Sequence, residues 1–297
     1  MENSKSEPVK LEMWSKILGV IVPTLIILIN SIEIHILRKS ANKPFYEKIL
    51  LSLSINDLIC GLVSSVTVPY LSLVKNEFYI LLHWNAWGTA LCYITLSSLV
   101  HLIIISVDTL WAVGAPLNHR KNATTKKLLI AVVSCWTIPI IFVVAFISFV
   151  LFEGMQPAEA YKFGTGTMCG VVAKVVLIAD VMLLICYCAI IWVIRTKTIP
   201  SKQKKSMSTL FLCIGIVSVF VAFSTPFVVV FITNWNSPHW LQKFAVILFP
   251  FNHISNSIVY LVHKHHCKRS NIASRDSKEQ KLQRRSDQDQ ILLVTPD

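Results

Sequence analysis

Residues Trp84–Leu117 read WNAWGTALCYITLSSLVHLIIISVDTLWAVGAPL. About 30 of these residues form a largely apolar run, long enough at ~1.5 Å per residue to cross the ~30 Å hydrocarbon of a bilayer as one helix. A single acid, Asp108, stands near the end of the run, and Pro116-Leu117 close it. A carboxylate placed where hydrocarbon gives way to headgroups is costly without a partner or a switching role. The stretch therefore predicts a membrane helix with a working group at its inner end.

Comparable apolar runs lie on both sides. The expected spans are Trp14–Leu37, Ile49–Leu73, Trp84–Val113, Leu128–Phe152, Val171–Ile194, Met207–Ile232 and Leu241–Val262. None alternates with the period of two that a barrel strand requires. The predicted fold is an all-α membrane protein, a seven-transmembrane helix bundle with its N-terminus outside. The 297 residues are 54% hydrophobic and 15% charged, which excludes an ordinary soluble globule and a disordered chain.

The net charge of +12 invites a nucleic-acid reading, and its distribution removes it. Arg38, Lys39, Lys43 and Lys48 follow the first span; Arg120, Lys121, Lys126 and Lys127 follow the third. Arg195, Lys197, Lys202, Lys204 and Lys205 follow the fifth, and Lys264, Lys268 and Arg269 the seventh. Alternate loops are basic, as the positive-inside rule demands, and no nucleic-acid patch has reason to obey it. The N-terminus is thus expected outside and the C-terminus in the cytoplasm, as in a multi-pass protein of the plasma membrane. Residues 1–13 form a short extracellular N-terminus, too polar for a signal-peptide core, so the first span is expected to anchor without cleavage. Residues 14–262 form the bundle, 263–274 a candidate juxtamembrane amphipathic helix, and 275–297 a charged tail expected to be disordered.

The polar residues inside the spans carry the functional signal. Asn30 in the first span reads either as a helix–helix hydrogen bonder or as a ligand contact. Glu33 would find a basic neighbour or the headgroup region. Asp57 lies deep in the second span, so it is protonated or neutralised, most cheaply by a monovalent cation. Lys174 and Asp180 in the fifth span are too far apart in helical phase to pair with each other. Lys174 either snorkels outward or reaches a ligand cavity. The basic loop before the sixth span anchors on anionic lipid or receives an intracellular protein. Cys267, among basic residues near the membrane, is either a site of acylation, which would make the chain a lipoprotein, or a free thiol. His263, His265 and His266 read as a hydrated patch or, alternatively, as metal ligands. Cys60, Cys135, Cys186, Cys188 and Cys213 read as buried small side chains.

In chain order, Asn30, Leu53 with Asp57, Ser98, Asp108 with Pro116-Leu117, Trp136, Tyr187, Phe220, Pro226, Asn252 and Asn256 with Tyr260 resemble the motifs of rhodopsin-like (class A) G-protein-coupled receptors over roughly residues 14–270. The resemblance implies a sodium-binding polar network of Asn30, Asp57, Ser98, Asn252 and Asn256, with Asp57 as the metal ligand. Sodium would act as an allosteric modulator and no other cofactor is implied. It implies an activation switch made of Asp108, Thr109, Tyr187, Phe220, Ser224, Pro226 and Tyr260. It also implies a ligand pocket at Leu91, Cys92, Thr95, Val171, Val175, Phe227, Val228, Phe231 and Val246, with Trp84 and Trp87 near the mouth. That lining is mainly apolar and favours a small hydrophobic or lipid-like ligand. The implied partners are a heterotrimeric G protein and membrane lipids.

The chain departs from the family at several points. Thr109 and Leu110 replace the Arg and Tyr after the acid, and Ser224 replaces the Trp of the sixth helix. Ala179 and Ser257 replace Pro in the fifth and seventh helices, which leaves Asn256-Ser-Ile-Val-Tyr260 for the motif of the seventh. Ser224 would leave room below the pocket or put a hydroxyl beside the cation site. Leu91 occupies the position where amine receptors keep an acid, which disfavours biogenic amines. Pro250 holds the retinal-linking position, which argues against an opsin. Trp84 stands where the helix-three Cys of the outer disulfide belongs. Bonding Cys92 to Cys169 would require the loop Glu153–Thr167 to dive into the bundle, and the free-thiol alternative stays open. His253, one turn from Asn256, either titrates or acts as a neutral hydrogen bonder.

The expected function is a divergent receptor, an orphan in ligand, that converts extracellular ligand binding into a helix rearrangement read by a G protein. The alternatives are a non-coupling or decoy receptor and a small seven-helix transporter. A transporter would be expected to show internal repeats with broken helices, and none is visible in the sequence. No nucleophile–base arrangement suggests an enzyme.

Overall fold

The computed structural model describes residues 13–39, 45–73, 77–122, 124–152, 157–196, 204–233, 238, 241, 245 and 248–265. The elements are α1 (Met13–Lys39), α2 (Phe45–Leu73), α3 (Glu77–Gly114), α4 (Pro116–Asn122), α5 (Thr125–Phe152), α6 (Pro157–Thr196) and α7 (Lys204–Ile232), with a last helix, α8, over 248–265. The first six expected spans fall on α1, α2, α3, α5, α6 and α7, the part of the seventh from residue 248 falls on α8, and α4 is a short extra helix after the third span. Every element is helical among the described residues, because an apolar segment in lipid must close its backbone hydrogen bonds within itself. Six of the described helices are long and apolar enough to cross a membrane.

The helices run past the hydropathic spans. Helix α3 begins at Glu77 instead of Trp84, and α6 begins at Pro157 instead of Val171. The expected loop Glu153–Thr167 is therefore helical from Pro157 onward. Hydropathy registers only the part of a helix that sits in hydrocarbon, while the hydrogen-bond ladder continues through polar ends.

Helix α3 is the hub, touching α2, α4, α5, α6 and α7, while α1 packs on α2. Around α3 lies a core that includes Leu53, Leu99, Leu102, Leu183, Leu212 and Phe220. The outer surface is apolar as well: Val20, Ile21, Ile141, Ile178 and Trp192 are exposed. A soluble protein rarely presents so much contiguous apolar surface, and a helix bundle solvated by lipid does. Two glycines set helix spacing. A Cβ at Gly61 would come within 2.8 Å of Ile27, and one at Gly215 within 3.1 Å of Val259.

Candidate functional site

Asp57 is fully buried on α2. Its Oδ1 lies 2.7 Å from Nδ1 of His253 on α8 and accepts from the Ser98 hydroxyl of α3 at 3.3 Å. Its Oδ2 accepts from the Asn256 side-chain amide at 3.3 Å. Asn56 extends the set, donating to the Ser98 hydroxyl at 2.9 Å and to the Ile94 carbonyl at 3.1 Å. An adjacent layer joins α1 to α8. The Asn30 amide donates to the His253 carbonyl at 3.0 Å, and the Ser257 hydroxyl donates to Asn30 Oδ1 at 2.8 Å. Ser257 also hydrogen-bonds Glu33. Glu33 thus has a hydrogen-bond partner inside the bundle. Helical spacing puts Asn252 one turn before the adjacent pair Asn256 and Ser257 on α8, where α2 meets Asn256 and α1 meets Ser257.

Asn30, Asp57, Ser98 and Asn256 are thus linked, and His253 joins them as the group nearest Asp57. Asn252 is buried, and its Oδ1 and that of Asn256 accept no hydrogen bond among the described residues. A carboxylate, a hydroxyl and two amide oxygens form the hard donor set that a small monovalent cation prefers. The residues fit sodium in chemistry, with one complication: His253 and a cation would compete for Asp57 Oδ1.

A second cluster sits at the other end of α3. Asp108 Oδ1 lies 2.7 Å from Nε2 of His119 on α4, with both side chains more than four-fifths buried. Trp111 packs edge-on against His119 with ring centroids 5.3 Å apart, and the Lys127 ammonium stands 5.1 Å above the Trp111 ring. Asp108 thus has a partner, supplied by the turn after the helix. Thr109 is buried; its hydroxyl donates to the Ile105 carbonyl at 2.7 Å and lies 3.4 Å from the Cys213 sulfur of α7. The Tyr187 hydroxyl meets that of Ser106 at 3.1 Å, and the Lys264 ammonium donates to the Tyr260 hydroxyl at 3.0 Å. Phe220 is fully buried in the α3–α7 core.

Ser224 does not put its hydroxyl beside the cation site. Its hydroxyl donates to Asp180 Oδ2 on α6 at 3.1 Å, which ties α7 to α6 two residues before Pro226 and spends the hydroxyl away from Asp57. Lys174 is exposed and Asp180 buried, so the two do not share a face.

Of the expected pocket residues, Leu91, Cys92, Thr95, Val171, Val175, Phe227, Val228 and Phe231 lie on α3, α6 and α7, while Val246 falls outside the described residues. Thr95 turns its hydroxyl back to the Leu91 carbonyl at 2.8 Å, so it offers a ligand little. Phe227 stacks on Phe249 with centroids 4.2 Å apart, and its other neighbour Phe231 lies at 4.5 Å. Cys92 and Cys169 bring their sulfurs within 3.4 Å as free thiols. No diving loop is needed, because Cys169 lies within α6, which packs along α3. Cys188 is exposed and Cys186 half-buried, contrary to the expectation that both are buried. Cys267 lies outside the described residues.

Sequence reasoning missed three groups. His119 carried no signal beyond its place three residues past Pro116. His101 on α3 lies 2.9 Å from the Ser52 hydroxyl, which also accepts from the Trp136 indole at 3.0 Å. An intramembrane His was the available clue to this α2–α3–α5 junction. Asn56, beside Asp57, was overshadowed by it.

Comparison with known proteins agrees with this geometry. The family described as 7 transmembrane receptor (rhodopsin family) matches residues 34–260. The 5-hydroxytryptamine receptor 1E of Homo sapiens is 30% identical over 94 residues, covering 29% of this chain and 26% of that receptor. The Cavia porcellus receptor of the same name is 29% identical over 132 residues, covering 41% of this chain and 33% of its own. These matches span only about a quarter to a third of those two relatives. The family match covers most of the chain, including Asp57, Ser98, His253 and Asn256, and the chain belongs to the rhodopsin family of seven-transmembrane receptors.

Proposed function

We propose that this protein is a plasma-membrane receptor, N-terminus outside, that converts binding of a small hydrophobic or lipid-like extracellular ligand into a helix rearrangement read by a heterotrimeric G protein. The observation that carries the reading is the buried set around Asp57, in which α2, α3 and α8 meet on one carboxylate. Such a set has few satisfactory packings, so it behaves as a two-state element. A ligand shifts it only by its differential affinity for the two states. The relatives named for 5-hydroxytryptamine do not transfer their ligand here. Leu91 stands at the position where an acid would meet an amine, and it carries no charge.

Sodium, when bound, would neutralise the carboxylate and favour the closed packing. Asp57, Ser98, Asn252 and Asn256 would hold it, with His253 giving up Oδ1. The Asp108–His119 contact would hold the inner end of α3 to α4 in the same state.

The test is nucleotide exchange by a G protein mixed with reconstituted receptor, in sodium chloride and in the chloride of a large organic cation. The expected result is exchange above the receptor-free background that sodium lowers, with the sodium effect gone in Asp57→Asn. Equal exchange by wild type in the two salts removes the sodium element, and exchange no higher than background removes coupling.

A second reading has its own support. Thr109 replaces a delocalised guanidinium with a hydroxyl already turned inward to Ile105 and Cys213. A receptor that binds ligand without coupling predicts silence in wild type. Output from Thr109→Arg alone would then mean that the switch survives and only its coupling end is altered.

A further inference from the structure

Between α6 and α7, with a lining that does not include Asp57, lies a cavity of about 160 Å³. Its lining is apolar except at three residues, Asp180, Thr225 and Thr233. The Thr225 hydroxyl donates to the Val221 carbonyl at 2.6 Å, and that of Thr233 to the Val229 carbonyl at 2.9 Å, so both are satisfied by their own helix. Asp180 is different. It is only 5% exposed; Oδ2 accepts from Ser224, and Oδ1 accepts no hydrogen bond among the described residues. A buried carboxylate oxygen left without a donor costs free energy whichever protonation state it takes. Nothing else in the cavity wall supplies one, and because Oδ1 is itself shielded, a ligand meets it through a turn of the carboxylate about its own axis.

We propose that this cavity is a binding site for amphiphilic amines, with the nitrogen on Asp180 Oδ1 and the apolar body along α6 and α7. The chemistry follows from the wall. An amine brings the missing donor, and the pair is neutral as a whole whether the proton sits on nitrogen or on oxygen. A neutral pair enters a dry site at far lower cost than a lone charge. The size fixes the shape of the ligand. A pocket that encloses a drug-sized molecule measures about 300–1,000 Å³, so this one holds the amine end and a short stretch of chain. The remainder lies over the rim, where Leu177, Val229 and Ile232 are between 39% and 44% exposed on the outer, apolar face of the bundle. Asp180 lies midway along the span Thr167–Val193, roughly 20 Å by helical rise from either end. The headgroup of a membrane phospholipid stays at the interface, so the ligand is a free amine that arrives through the hydrocarbon. Leu91 denies an amine its counter-ion on α3; α6 supplies one from another side.

The site does not depend on G-protein coupling, and its test contains no G protein. Wild-type receptor in lipid nanodiscs is heated with increasing dodecylamine, and with dodecanol and dodecanoic acid as partners of equal chain length. Dodecylamine is expected to raise the unfolding midpoint of wild type by several degrees more than either control. Asp180→Asn, which keeps the Ser224 bond and the volume, is expected to raise the half-saturating concentration at least tenfold. Val229→Trp, at the exposed rim and therefore harmless to folding, is expected to weaken the effect similarly by closing the mouth. The proposal stands if both variants lose the amine-specific shift. A wild type that does not distinguish amine from alcohol, or a shift retained in either variant, overturns it.

Discussion

At the scale of single residues, this chain replaces long-range charge with short local contacts. Asp108 is followed by Thr109 in the chain, and His119 from the following turn takes up the carboxylate at 2.7 Å. Both side chains are largely shielded, so the bond is worth more than an exposed ion pair and less than a fully buried one, about 1–2 kcal/mol. His119→Ala is expected to lower thermal stability by that amount and to release the inner end of α3. A differential scanning experiment on the purified variant checks the first part, and an unchanged midpoint would mean that the contact contributes nothing. His253 makes the same point inside the bundle. Its sequence position said only that it faced the same side as Asn256, and its ring nitrogen proves to be the nearest group to Asp57. Pairings of this kind are hidden from the sequence because they depend on helix rotation and depth to within an ångström or two.

At the scale of elements, helix spacing is set where side chains are smallest. Helices α1 and α2 pack on each other, and Gly61 is a point of close approach: a Cβ there would meet Ile27 at 2.8 Å and Ile26 at 3.0 Å. Both neighbours are β-branched and stiff within a helix, so they do not swing aside. Gly61→Ala is expected to push the helices apart and cost about 1–3 kcal/mol, the usual penalty of overpacking. Because Asn30 and Glu33 of α1 bond to α8 further along, the same variant should loosen that layer. Faster hydrogen exchange in residues 248–265 would report it, and wild-type exchange together with an unchanged unfolding midpoint would contradict the account. The cysteines teach a related lesson. From spacing alone, Cys92 and Cys169 needed an unusual loop to meet, yet a longer α6 packed beside α3 brings the sulfurs to 3.4 Å. An element boundary moved from Val171 to Pro157 altered the apparent chemistry.

At the scale of the molecule, basic residues mark alternate loops and assign a direction to the chain. An epitope tag fused before Met1 should be stained on intact cells, and one fused after Asp297 only once the membrane is opened. The reverse pattern would overturn the orientation. The seven spans, the helical class and the family motifs were legible without coordinates. Hydrocarbon thickness dictates the length of an apolar run, and lipid forces its backbone into a helix. Much of the polar network was legible for the same reason, since a carboxylate or amide inside a span is costly enough to announce itself. The sequence by itself thus determined that Asp57, Asp108, Glu33 and Asp180 need partners. Only the tertiary structure decided which: His253, His119, Ser257 and Ser224, each brought from another helix or turn by packing. The cost of burying a charge is a property of one residue in its segment. The relief of that cost is a property of how helices rotate against one another.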